Sequence, residues 1–149
     1  MRWLRGDAVV LFALYIFLGY VVYRVANSCY RRDDVGYEYP EMVVMIISQP
    51  TEREVRRYIR STWISPNNSL SVASGRVQPV FLIGWSQHDV SDEAEEFGDI
   101  LMVNVREDYR NLVYKIIAGM RAILRRFPQV QYVLKIDSDA VAMLDRLYQ

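Results

Sequence analysis

The sequence predicts an α/β fold, a mainly parallel sheet with flanking helices, preceded by one transmembrane helix. Three features predict it. Apolar runs at Met42–Ser48, Val77–Trp85, Ile100–Val105 and Tyr132–Asp137 alternate with segments of helical periodicity, the pattern that βαβ units leave in a chain. The first run, MVVMIIS, is apolar at consecutive positions, as a strand covered on both faces requires. Ahead of all four, Ala8–Tyr23 (AVVLFALYIFLGYVVY) carries no charge.

A chain of 149 residues, 52% hydrophobic, holds at most one globular domain. Its formal net charge of zero gives no bulk argument for a polyanionic partner, and no nucleic-acid partner is expected. The single cysteine, Cys29, excludes an internal disulfide.

Taken in order, residues 1–7 form a short tail and 8–25 the membrane span. Trp3, Tyr20 and Tyr23 suit the interfaces at its two ends. A cleaved signal peptide is the rival, because Ala26-Asn27-Ser28 resembles a small-residue cleavage site. The apolar run exceeds a signal peptide's core of roughly 7–15 residues, which favours an uncleaved anchor. Arginines lie on both sides of the span (Arg2 and Arg5, then Arg24, Arg31 and Arg32), so charge alone does not orient it. Residues 26–41 turn polar and read as a stem or linker.

The domain proper begins at Met42. After the first strand, Thr51 and Glu54 have the spacing of a capping box for a helix from Glu52 to about Thr62. Val55, Tyr58, Ile59, Thr62 and Trp63 fall on one stripe of that helix, and Arg53, Arg56, Arg57 and Arg60 on a basic, solvated one. Ser65–Gly75 reads as loop and contains the sequon Asn67-Asn68-Ser69, a glycosylation acceptor at Asn67 if the domain is lumenal. In the second strand Pro79 sits near the start, where a missing donor is tolerated. Ser91 is placed to cap an acidic helix that Gly98 stops. The longest helix, Tyr109–Phe127, is read with a continuous apolar face of Leu112, Ile116, Met120, Ile123 and Phe127 together with Val113, Ile117 and Leu124, and Pro128 lies beyond its end.

The fourth strand is read as a buried strand ending in Asp137-Ser138-Asp139. In open α/β sheets ligands sit beyond the carboxyl ends of the strands. Side chains at i and i+2 of an extended strand share a face, so Asp137 and Asp139 can present hard oxygens to one Mg²⁺ or Mn²⁺ ion. The plainer alternative is a turn that closes the strand with both acids in water.

Five segments, in this order, resemble the β-1,3-galactosyltransferase family, which includes related N-acetylglucosaminyltransferases. They are Arg56-Arg57-Tyr58-Ile59-Arg60-Ser61-Thr62-Trp63, Val80-Phe81-Leu82-Ile83-Gly84, Glu93 through Leu101, Asp108-Tyr109-Arg110-Asn111-Leu112 through Lys115, and Lys135-Ile136-Asp137-Ser138-Asp139. The resemblance implies a nucleotide-diphosphosugar transferase-like fold. It also implies a hexosyltransferase that moves a sugar from a UDP-sugar donor to a glycan or glycoprotein acceptor in protein glycosylation, with Mn²⁺. It places the chain in the Golgi membrane as a single-pass type II protein, residues 1–7 cytosolic, 8–25 the signal anchor and 42–149 lumenal. On the same basis Asp139 ligates the metal directly, Asp137 ligates it through water or holds the ribose, and Arg56 and Arg60 approach the UDP-sugar.

The sequence departs from the family at the acidic motif, where Ser138 replaces a middle acid, and at Asn104 and Glu107, where aspartates are usual. The resemblance implies that 42–149 represents only the N-terminal half of the catalytic domain, with no catalytic base to assign in it. Asp145 is the one acid after the motif and stands very close to it. A second expectation is therefore a truncated, inactive, membrane-anchored remnant that binds nucleotide weakly or partners a full-length relative. A third, the aspartate pair of a phosphatase, fits poorly, because that motif lies early in its domain with a threonine soon after, whereas Ala140-Val141 follow here.

Overall fold

The computed structural model describes residues 39–147. The expected anchor at 8–25 and most of the stem lie outside the described residues, among which no helix is long and apolar enough to cross a membrane.

Four strands, β1 (Met42–Ile47), β2 (Val77–Trp85), β3 (Ile100–Arg106) and β4 (Tyr132–Asp137), form one parallel sheet in the order β3-β2-β1-β4. Helix α1 (Arg53–Ser61) and the short α2 (Leu70–Ala73) link β1 to β2, α3 (Ser91–Phe97) links β2 to β3, and α4 (Leu112–Arg126) links β3 to β4. A 3₁₀ turn, Tyr109–Asn111, leads into α4, and α5 (Leu144–Leu147) follows β4.

The alternation of strand side chains splits the core in two. Met42, Val44, Ile46, Phe81 and Ile83 face one side, where Ile59 of α1 and Leu144 of α5 cover them. Val43, Met45, Val80 and Leu82 face the other, against Ile123 of α4. Four consecutive residues of β1, Val43 to Ile46, are wholly buried, which explains the uninterrupted apolar run. Gly119 lets α4 lie close to the sheet: a Cβ there would meet Leu82 Cδ2 at 2.7 Å. Pro79 is tolerated because β2 and β3 pair only from Phe81 onward, where the Phe81 amide donates to Asp99 O at 2.8 Å.

Several local expectations are corrected. Thr51 and Glu54 do not form a capping box; no side chain caps α1, and Glu54 pairs with Arg57 on the surface instead. Val90, not Ser91, is the N-cap of α3, and the Ser91 amide and hydroxyl are held by Asp89 at 2.9 and 2.6 Å. Gly98 ends that helix in the left-handed conformation, φ 65°, as its sequence position predicts. The stretch read as loop contains α2, whose N-cap is Ser69. β4 is not fully buried: it pairs with β1 along one edge, and Tyr132 at its start is 59% exposed.

Candidate functional site at the carboxyl end of the sheet

The chain steps from β1 to β2 to β3 on one side of β1 and returns to β4 on the other. The order of the sheet reverses between β1 and β4, and the crevice outside the carboxyl ends of two such strands is where open α/β sheets bind ligands. Two segments meet there, the loop Ser48-Gln49-Pro50-Thr51 after β1 and the turn Asp137-Ser138-Asp139 that starts on the last residue of β4.

The β1 loop is held from beneath by two buried cations. Arg56 has no exposed surface. Its Nη1 donates to Ser48 Oγ at 3.0 Å and to Gln49 O, and its Nη2 to Pro50 O at 3.2 Å. The same guanidinium forks onto Glu93 of α3 through Nε (2.8 Å) and Nη2 (2.6 Å). Arg60, one turn on, donates from Nη1 to Glu93 Oε1 at 2.7 Å and grips Asp99 with Nε and Nη2 at 2.7 and 2.8 Å. Burial pushes the Glu93 carboxyl up, but the hydrogen bonds and charges of Arg56 and Arg60 outweigh it and hold it below the usual carboxylate range. Lys115 of α4 is the second buried cation. Its Nζ donates to Ser48 O at 2.8 Å and to both oxygens of Glu107 at 2.7 and 2.8 Å.

Glu107 in turn accepts the Gly84 amide at 2.7 Å, where the pairing of β2 with β3 shifts register between Gly84 and Trp85. A Cβ at position 84 would meet Glu107 Oε2 and the backbone oxygen of Val105, both at 2.7 Å, so a glycine is required. One chain of charge-assisted bonds thus joins the carboxyl ends of β1, β2 and β3. The stripe read as basic and solvated holds the most buried residue of α1, while Val55 and Tyr58, expected inside, are 40% and 68% exposed. Remote acids reverse the amphipathic reading: Glu93 lies 37 positions from Arg56, and Asp99 lies 39 from Arg60. Nothing local in the sequence marks those pairs.

The acidic turn is built differently. Strand β4 ends at Asp137, and the Ala140 amide closes a turn onto Asp137 O at 3.1 Å. Asp139 therefore lies in a turn and not in extended strand, so the alternation that would put it on one face with Asp137 does not operate. Both aspartates are exposed. Lys135, two residues before Asp137, does share its side of the strand and donates to its two oxygens at 2.7 and 2.8 Å. Ser138 turns back and donates to Glu52 Oε2 at 3.2 Å.

Farther on, Asp145 is occupied. Its Oδ1 accepts the Ser71 hydroxyl (2.6 Å), the Ser71 amide (2.9 Å) and the Ser69 hydroxyl (2.9 Å), and its Oδ2 the Leu70 amide (3.1 Å). Those bonds, the Ser71 hydroxyl foremost, hold its carboxyl well below the usual carboxylate range. A carboxylate so placed is a clamp between α5 and the start of α2. Asn67 of the sequon is exposed, whereas Ser69, its hydroxyl residue, is buried in that clamp.

Asp137, Ser138 and Asp139 thus sit at the reversal of the sheet, with Arg56 directly beneath the neighbouring loop and Arg60 bound behind it to Glu93 and Asp99. The family match begins within α1 and runs on through the acidic turn. A model of the family described as "Galactosyltransferase" matches residues 54–149. The chain belongs to the galactosyltransferase family. It is 32% identical over 112 residues to beta-1,3-galactosyltransferase bre-2 of Caenorhabditis elegans, a match covering 70% of this chain and 31% of the relative. It is 32% identical over 107 residues to mouse beta-1,3-galactosyltransferase 2 (67% and 25% of the two chains). Against mouse beta-1,3-galactosyltransferase 1 the figures are 30% over 113 residues, 72% and 34%. The aligned part spans about a quarter to a third of these galactosyltransferases.

The donor set at the turn fits a hard divalent ion in part. Two carboxylates supply anionic oxygen, but among the described residues no three His, Cys, Asp or Glu side chains are grouped to hold a metal. An ion there would complete its shell from a diphosphate and water, as Mg²⁺-type sites commonly do, and would compete with Lys135 for Asp137.

Proposed function

We propose that the chain forms the donor-binding part of a Mn²⁺-dependent hexosyltransferase, which transfers a sugar from a UDP-sugar to a glycan or glycoprotein acceptor in protein glycosylation. On this reading it sits in the Golgi membrane by its 8–25 anchor, type II, with 42–149 lumenal. The observation that carries the proposal is the place of the Asp137-Ser138-Asp139 turn, beyond the strand ends at the reversal of the sheet, in a chain of the galactosyltransferase family.

Asp139 is the direct ligand and Asp137 the outer one, toward ion-bound water or the ribose. The ion, when bound, supplies Lewis-acid stabilisation of charge on the departing diphosphate. Arg56 serves the UDP-sugar through the backbone of Ser48-Gln49-Pro50, which it holds in one conformation, and Arg60 fixes Glu93 from the other side.

Titration with UDP, with and without Mn²⁺, tests the site. Affinity should depend on Mn²⁺, and Asp139→Asn should weaken it about tenfold or more, the order of one charge-assisted interaction. Glu95→Gln, an exposed acid of α3, should change nothing. Equal binding without metal, or an Asp139→Asn variant that binds as the parent does, would reduce the motif to a strand-ending turn. Carbonate extraction should leave the full chain with the membrane; its release would remove the anchor from the proposal.

A further inference from the structure

Glu52 stands between the two loops of the site. Its Oε2 accepts the Gln49 amide at 2.9 Å and the Ser48 hydroxyl at 3.0 Å, both in the β1 loop. The same oxygen accepts the hydroxyl of Ser138 at 3.2 Å, 86 positions later in the chain. Ser138 is the middle residue of the acidic turn, flanked by the two exposed carboxylates. A single carboxylate oxygen therefore ties the rigid loop, itself fixed by Arg56 and Lys115, to the turn at the end of edge strand β4.

We propose that Glu52 is a positioning residue: through Ser138 it sets the direction in which Asp137 and Asp139 offer their oxygens to a divalent cation and a diphosphate. This rests on the reading of the turn as a donor site. The physical case is one of contrast in restraint. Asp137, bonded to the surface Lys135, and Asp139 are both exposed, and a short exposed turn samples many backbone and side-chain directions unless something orders it. A hydroxyl bonded to an ionised acceptor is the stronger class of hydrogen bond. Glu52 can act as a fixed reference because its own position is set by the Gln49 amide and the Ser48 hydroxyl. Removing it should loosen the turn without disturbing either core, since its side chain belongs to neither cluster.

The test uses the full chain in detergent, with two readouts. One is hydrogen-exchange protection of the Ala140 amide, which closes the turn; the other is UDP affinity with and without Mn²⁺. Glu52→Ala should lower Ala140 protection about tenfold and the Mn²⁺-dependent part of UDP affinity about tenfold, with metal-free binding unchanged. Ser138→Ala removes the same bond from the exposed side and should reproduce both losses, which keeps the test open if Glu52→Ala folds poorly. Glu52→Gln, whose neutral amide oxygen can still accept but more weakly, should lose less of both properties than Glu52→Ala. Parent-like Ala140 protection in Glu52→Ala and Ser138→Ala would overturn the proposal. So would lost protection with an unchanged response to Mn²⁺. A parent chain whose UDP binding ignores Mn²⁺ would overturn the donor-site reading, and the Ala140 readout would still decide whether Glu52 orders the turn.

Discussion

The two loops that meet at the reversal of the sheet are held by opposite means. The loop after β1 rests on Arg56 and Lys115, both essentially buried, which bond to its backbone carbonyls and are neutralised by Glu93 and Glu107. The turn at the end of edge strand β4 has both aspartates exposed, Asp137 against the surface Lys135. Buried ion pairs seldom add net stability over a well-packed apolar core, but once present they tolerate few geometries, because a charge left without its partner in the interior is strongly destabilising. The first loop is therefore rigid by construction. The second leaves its carboxylates at the surface, as the proposed exchange of lysine or water for an ion requires.

The comparison is broken most severely at Arg56. Arg56→Met removes the guanidinium and leaves Glu93 with Arg60 alone, and should cost about 3–5 kcal/mol in urea-induced unfolding. Arg57→Ala, on the same helix and paired with Glu54 on the surface, should stay within about 0.5 kcal/mol. A cost for Arg56→Met no larger than that of Arg57→Ala would show that the buried network is not what holds the first loop.

A smaller effect sharpens the other side. Asp145 anchors α5, just beyond the acidic turn, to Ser69 and Ser71. Its folded pKa is depressed, so its contribution is complete above the unfolded value of about 3.9 and is lost as pH falls below it. Asp145→Asn should therefore be less stable than the parent at pH 7, with the gap closing as the pH is lowered from about 5 toward 2. A pH-independent gap would mean that the carboxylate charge is not what the serines hold.

How far the sequence could be read differs along the same divide. Strand β2 begins and ends where its apolar run does, and Gly98 stops α3 where expected, because these signals are local: apolar continuity in one case, a left-handed backbone in the other. The acidic motif was legible as residues, and its place at the carboxyl end of β4 followed from the strand before it. The mutual facing of Asp137 and Asp139 did not follow, since it assumed an extended strand where a turn begins. Glu93, Asp99 and Glu107, which hold the site from beneath, read as ordinary acids of a helix, a strand start and a loop.

The sequence by itself determined that this chain is an α/β domain of alternating strands and helices, with two carboxylates delivered at a strand end, since each of those properties depends on residues within a few positions of one another. Only the tertiary structure decided the strand order β3-β2-β1-β4, the inward turn of Arg56, and the bond from Ser138 to Glu52. A helical wheel sends an arginine outward because burying a bare charge is very costly. The cost vanishes from that reckoning only when an acid 37 positions away is folded against it, and the bond that joins the two loops spans 86. Such pairings are properties of the folded domain, in which distant segments are brought to hydrogen-bonding distance, and no local pattern encodes them.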